Sequence, residues 1–197
     1  MHIIVSRWTI FGVDRFGKGV RALNGIDLDK LGEALRTVEE QWRDPEKRPL
    51  IGRRRARALW RGGMRSTVRT GSGGRFEVDE GLEPSAGEPT PTSVEYLIGS
   101  LAGCVLLTFV YLATLRGIEV QDAEVSVEGE LGNVCNFLGL SDEGTPGFTR
   151  VSITFYVRSG AEEEKIRQVF EEALRRSPVY RTLEGCVSLS TSLRVFR

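Results

Sequence analysis

Between Val94 and Leu115 lie 22 residues that carry one charge, Glu95. A stretch of about 20 apolar residues can cross a bilayer as a helix. The other outlet for a helix apolar on every side is burial in a core or an oligomer interface. Ser100, Thr108, Thr114, Tyr96 and Tyr111 dilute the run, and its flanks alternate like the strands of a soluble protein. The run therefore predicts a buried central helix and no membrane partner. Gly99 and Gly103, four apart, leave a smooth strip for a second helix to approach, and Gly117 supplies the C-terminal stop.

Strands surround that helix. Alternation in Ala58/Trp60, Met64 to Thr70 and Phe76/Val78, punctuated by Gly62-Gly63 and Gly71 to Gly74, predicts a three-stranded meander, then a loop from Pro84 to Pro91. Past the helix, Val120 to Gly129 reads as a strand, Leu131 to Gly147 as a loop, and Val151, Ile153, Phe155 and Val157 as another strand. Ser159 and Glu162 have the spacing of a capping box. The stripe Ile166, Val169, Phe170, Ala173 and Leu174 behind them predicts a second helix, ended by Pro178. Cys186 opens a final strand through Val187, Leu189, Thr191, Leu193 and Val195. The order is β-β-β-α-β-β-α-β, an α+β arrangement.

Ahead of this domain, Ile3-Ile4-Val5 and Trp8 to Val13 read as short strands, followed by a turn through Gly17 and Gly19. Asp27 then caps a helix to about Trp42, with Leu28, Leu31, Leu35 and Val38 at helical spacing and Pro45 and Pro49 as its stop. Residues 1–50 are thus expected to form an extension and residues 51–197 the main domain.

Several function classes are disfavoured. Lysine plus arginine equals aspartate plus glutamate, 27 against 27, so net charge steers no acidic partner. Arg53, Arg54, Arg55, Arg57 and Arg61 cluster, but only Trp60 is there to stack on bases, so a solvated face is expected and no nucleic acid. Glycines 71–74 lack a phosphate-loop Lys-Ser/Thr. The only histidine is His2, which argues against a His-dependent nucleophile pair and a His-ligated zinc. No cofactor or metal is expected. Three cysteines, none in a C-x-x-C pair, are not a disulfide framework, and residues 1–7 lack the pattern of a signal peptide. A cytoplasmic location is expected.

Cys104 is the candidate nucleophile. Alone it would read as an inert buried thiol, since a thiol among apolar groups reacts only if a cation stabilises its thiolate. Arg65, after the Gly62-Gly63 turn, could be that cation or a solvated strand residue. Glu95 sits nine residues before Cys104, on the opposite side of a straight helix, and Thr92-x-x-Glu95 has the spacing of a helix cap. Ser177 reads as a helix-end residue before Pro178. Cys135 and Cys186 are structural or resolving thiols.

The strand and helix order, with a cysteine on the apolar helix, resembles the OsmC/Ohr family over about residues 55–197. The motifs that carry the resemblance are Trp60-x-Gly62-Gly63-Met64-Arg65, Pro91-Thr92-Ser93-Val94-Glu95-Tyr96-Leu97, Ser100-Leu101-Ala102-Gly103-Cys104 and Ser177-Pro178-Val179-Tyr180-Arg181-Thr182-Leu183. Asn24-Gly25-Ile26-Asp27 onward is similar to the helical N-terminal extension of one subgroup. The resemblance implies an OsmC-like fold in an intertwined homodimer that reduces organic hydroperoxides. Cys104 would become a sulfenic acid, with Arg65 as activating cation and Glu95 as an orienting group. Two positions depart from the pattern. Ser177 stands where the peroxidase branches carry the resolving cysteine, and Val94 where the Ohr branch carries its glutamate. The expectation is therefore a one-cysteine peroxidase served by an external thiol or dithiol. The alternative is a non-catalytic dimer that binds a small hydrophobic or reactive ligand.

Overall fold

The computed structural model describes residues 22–47, 53–81 and 89–196. In chain order the elements are β1 (Ala22–Leu23), β2 (Ile26–Asp27), α1 (Leu28–Arg43), β3 (Ala56–Trp60), β4 (Arg65–Thr70), β5 (Arg75–Asp79) and α2 (Ser93–Leu115). These are followed by β6 (Asp122–Leu131), α3 (Val134–Phe137), β7 (Phe148–Arg158), α4 (Glu163–Arg176), α5 (Pro178–Leu183) and β8 (Ser188–Phe196). The architecture is α+β, as expected. The strands proposed at residues 3–5 and 8–13, the turn at 17–19 and the boundary near 50 lie outside the described residues, as does most of the Pro84–Pro91 loop.

Two compact units form, one from the described part of Met1–Arg36 together with Ser100–Arg197, the other from Thr37–Gly99. The first is built on the sheet β6-β7-β8, antiparallel between β6 and β7 and parallel between β7 and β8. Alternation decides its buried face. Val151, Ile153, Phe155 and Val157 of β7 are each 1% exposed or less. They pair with Gly129, Val127, Val125 and Ala123 of β6. Leu101, Val105, Phe109, Leu112 and Ala113 of α2 and Ile166, Val169, Phe170 and Ala173 of α4 complete one core. Phe155 links the layers, 4.6 Å from Phe109 and 5.5 Å from Phe170 by ring centroid. Each such side chain contributes roughly 1.5–3 kcal/mol by leaving water. By length and composition α2 could cross a membrane, yet one whole face of it is spent on this core. Its outward Leu107 remains 69% exposed.

At Gly129 an added Cβ would fall 2.3 Å from the Phe148 ring, so the glycine is what lets that ring lie on the strand. The β1–β2 hairpin turns on Asn24 and Gly25, both at positive φ (53° and 74°), the pairing a two-residue hairpin favours. Asn24 also ties the hairpin to the core. Its amide donates to Thr114 Oγ1 (3.0 Å) and the Ile118 carbonyl (2.9 Å), and its oxygen accepts from the Val120 N–H (2.8 Å). Asp27 caps α1 as expected, accepting from the Asp29 and Lys30 N–H groups.

The Thr37–Gly99 unit contains the meander β3-β4-β5, antiparallel throughout. Thr67 and Val78 are its buried residues among those described, and the Phe76 and Tyr96 rings meet tilted at 4.5 Å.

Four expectations need correction. Ser159 and Glu162 form no capping box. The Ser159 hydroxyl instead donates to the Glu119 carbonyl at 2.6 Å, and Glu162 is itself the N-cap of α4, its side chain making no capping hydrogen bond. The 131–147 segment contains the short helix α3. Pro178 ends α4 but also starts α5, where its fixed φ suits a first helical position. Cys186 lies in the turn before β8, whose first residue is Ser188.

Candidate functional site

Cys104 lies in the middle of α2, half-buried and unpaired with another cysteine. Its helical neighbours at i+3, i+4, i+7 and i+8, namely Leu107, Thr108, Tyr111 and Leu112, share its face. With Arg176 they line an open groove of about 410 Å³. Thr108 spends its hydroxyl on the Cys104 carbonyl at 2.7 Å.

The last turn of α4 brings a second polar group to the sulfur. Pro178 forces Ser177 out of the helical region (φ −70°, ψ 115°). Its side chain is then free to cap α5, accepting from the Tyr180 N–H at 3.4 Å. The same hydroxyl donates to Cys104 Sγ at 3.1 Å, and Ser177 is fully buried. A buried hydroxyl held by a backbone N–H on its oxygen has its proton left for the sulfur.

Arg176, one residue earlier, shares Glu172 with Arg116. Its Nε donates to Glu172 Oε1 at 2.5 Å, and Arg116 pairs with Oε2. Burial pushes the Tyr111 hydroxyl above the ordinary phenol pKa, while the Arg176 charge pulls it back down.

Arg65 and Glu95 belong to the other unit. Arg65 opens β4, and its Nε is engaged by Asp79 at 2.8 Å. The Gly81 N–H, joined by Arg65, holds the Asp79 carboxyl below its usual pKa. Glu95 closes the expected capping box. Its carboxylate accepts from the Thr92 N–H (2.7 Å) and hydroxyl (2.9 Å), while the Glu95 N–H donates to Thr92 Oγ1 (3.3 Å). Those bonds lower the Glu95 pKa. Cys135 is exposed on α3, its N–H capped by Asn133, and Cys186 is exposed with its thiol toward the Thr182 carbonyl at 3.7 Å. Among the described residues no cluster of His, Cys, Asp and Glu could hold a metal ion.

Sequence reasoning placed Ser177 correctly as a helix end but did not single out Arg176, Tyr111 or Glu172. Counting one face of α2 forward from Cys104 would have found Tyr111. Arg176 had only its place beside Ser177 to mark it.

Fold and site together define an α+β protein with a thiol on its long central helix, hydrogen-bonded to a helix-ending serine and lining an apolar groove. The chain belongs to the OsmC-like family, whose family model, described as "OsmC-like protein", matches residues 85–192. Among solved structures, an OsmC-like protein from Mycoplasma pneumoniae is 16% identical with a TM-score of 0.63, covering 75% of this chain and 100% of its own. An organic hydroperoxide resistance protein OsmC from Legionella pneumophila, also titled a predicted redox protein, is 19% identical (TM-score 0.55, 75% and 100% covered). The organic hydroperoxide resistance protein OhrB of Bacillus subtilis is 18% identical (TM-score 0.51, 74% and 100%). At these identities the likeness is one of fold. No curated protein sequence matches the chain.

Proposed function

We propose that the chain is a one-cysteine thiol peroxidase that reduces organic hydroperoxides through Cys104, with an external thiol or dithiol as reductant. The observation that carries this reading is the Ser177 hydroxyl donating to Cys104 Sγ at 3.1 Å beside an open apolar groove. The hydroxyl is placed against the sulfur, and the groove admits an organic body. Two of the solved structures with this fold are titled hydroperoxide resistance proteins.

In the reaction the thiolate attacks one peroxide oxygen and the O–O bond breaks. The departing alkoxide takes up a proton and leaves as an alcohol, and Cys104 becomes a sulfenic acid. Serine cannot form a disulfide, so an external thiol condenses with the sulfenic acid and releases water. A second thiol then exchanges with the mixed disulfide and restores Cys104. Arg65 as thiolate stabiliser and Glu95 as orienting group belong to this proposal on the family resemblance, although Asp79 and Thr92 already engage them.

A homodimer is part of the same reading. Leu107 is exposed on α2, and a Cβ added at Gly103 would meet nothing within 4 Å, so the outer helix face can receive a second copy. Edge strand β3 follows Arg53 to Arg55 and carries Arg57, whereas edge strand β6 carries Asp122, Glu124, Glu128 and Glu130. The two edges are complementary in charge. A cytoplasmic location goes with this reading.

The test is the intact mass of the chain after one equivalent of cumene hydroperoxide, for the native protein and for Cys104→Ser. A rapid gain of one oxygen that the substitution abolishes is the expected result. Loss of two hydrogens instead would bring Cys135 or Cys186 in as a resolving thiol. Ser177 in place of a disulfide partner also suits a dimer that merely binds a small hydrophobic ligand. Thiols that oxidise no faster than free cysteine would establish that second reading.

A further inference from the structure

One face of the meander is crowded with arginine. In its register Arg57 lies opposite Arg69 and Arg69 opposite Arg75, so a single row across β3, β4 and β5 holds three of them. Residues two apart on a strand share a face. Leu59, Thr67 and Glu77 therefore form the next row, and Arg61, Arg65 and Asp79 follow. Like charges directly opposite each other destabilise a sheet, and only two of these five arginines are answered by an acid. Glu77 engages Arg75 and Asp79 engages Arg65, each at 2.8 Å. Among the described residues no carboxylate forms an ion pair with Arg57, Arg61 or Arg69. Those same three, with Ala58, Leu59 and Thr67, line a concavity of about 260 Å³. Its Thr67 wall is fixed in place. Thr67 is 2% exposed, and its hydroxyl accepts from Arg61 Nε and donates to Glu77 Oε2, each at 2.8 Å. The first of those bonds orients the Arg61 guanidinium through Nε and leaves its two terminal nitrogens for another acceptor.

We propose that this concavity binds a diphosphate group. Guanidinium groups hold phosphate oxygens through paired, charge-assisted hydrogen bonds. Three arginines without an acid exceed the charge of one phosphate, about −1.5 to −2 near neutral pH, and a diphosphate balances them more nearly. The site lies within the Thr37–Gly99 unit, whereas Cys104 belongs to the other, so it stands whether or not the thiol is a peroxidase. The diphosphate arrives either free, as inorganic pyrophosphate, or on a nucleoside. Leu59, 57% exposed beside the arginines, offers an apolar surface to a base.

Calorimetry of the full chain at low salt reads the site directly, with sodium pyrophosphate, ADP, orthophosphate and sulfate as titrants. Pyrophosphate or ADP should bind about 10-fold more tightly than orthophosphate. Arg57→Gln and Arg69→Gln should each weaken that binding about 10-fold, the lower range for hydrogen bonds to a charged group. Arg158→Gln, at the end of β7, removes the same charge from the other unit and should change nothing. Without ligand, either meander variant should melt at or above the native temperature, because a like-charge neighbour has gone. That measurement separates a lost site from a lost fold. ADP that binds more tightly than pyrophosphate assigns the group to a nucleoside, and ADP that binds no more tightly assigns it to the free anion. Pyrophosphate that binds no better than sulfate at equal ionic strength overturns the site, as does an equal loss in Arg158→Gln. A short single-stranded oligonucleotide that binds where pyrophosphate does not overturns it too, in favour of nucleic acid. Should Arg57→Gln instead turn a dimer into a monomer by light scattering, while pyrophosphate is ignored, the arginines belong to the acidic strand of a second copy and the site falls.

Discussion

Ser177 holds three bonds at once. Its N–H closes α4 on the Ala173 carbonyl at 2.8 Å, its oxygen caps α5, and its proton goes to Cys104. With Oγ only 3.1 Å from Sγ, a thiol at this position comes within a small adjustment of a disulfide. Ser177→Cys should therefore convert the chemistry: after hydroperoxide, the variant loses two hydrogens where the native chain gains an oxygen, as read by intact mass. A variant that keeps the added oxygen would show that the contact does not admit the bond. This residue also shows what was legible in sequence. Proline at 178 announces a helix end because of a local clash, so the position was readable. The partner was not, since Cys104 and Ser177 meet only through the fold. The Ser159–Glu162 pair failed for the opposite reason, because its spacing matched a local motif while the fold had given the serine to Glu119.

Among the elements, the long periodic ones were legible almost throughout: α2, α4, β7 and the three-stranded meander follow from their apolar spacing. Helices α3 and α5 span four and six residues, too few for periodicity to register. The β1–β2 hairpin had its signal in Asn24-Gly25, but two-residue strands give no alternation to read. That hairpin matters beyond its size. Asn24→Ala removes three hydrogen bonds, leaves the Val120 N–H without its acceptor and places alanine at positive φ. A loss of about 2–4 kcal/mol is expected in chemical denaturation. In β6, Gly129→Ala should cost about 1–3 kcal/mol through the collision with Phe148. Adding Phe148→Leu should recover much of that loss, and no recovery would show that the ring is not what the glycine accommodates.

For the whole molecule, the proposed homodimer through the outward face of α2 carries a prediction of its own. Light scattering should give twice the chain mass, and Leu107→Glu, placing a charge on that face, should shift the population toward the single chain. A native chain that scatters as a monomer would remove the dimer from the proposal. Time adds something that the finished arrangement hides. Ser177 reaches Cys104 across 73 residues, and Asn24 reaches Val120 across 96. Closures of that span are slow and come after local structure has formed. A newly made chain therefore holds its central sulfur without a hydroxyl partner for much of its folding. On the proposed reading, an oxidant present during that interval would meet a cysteine that lacks the hydroxyl contact of the mature protein.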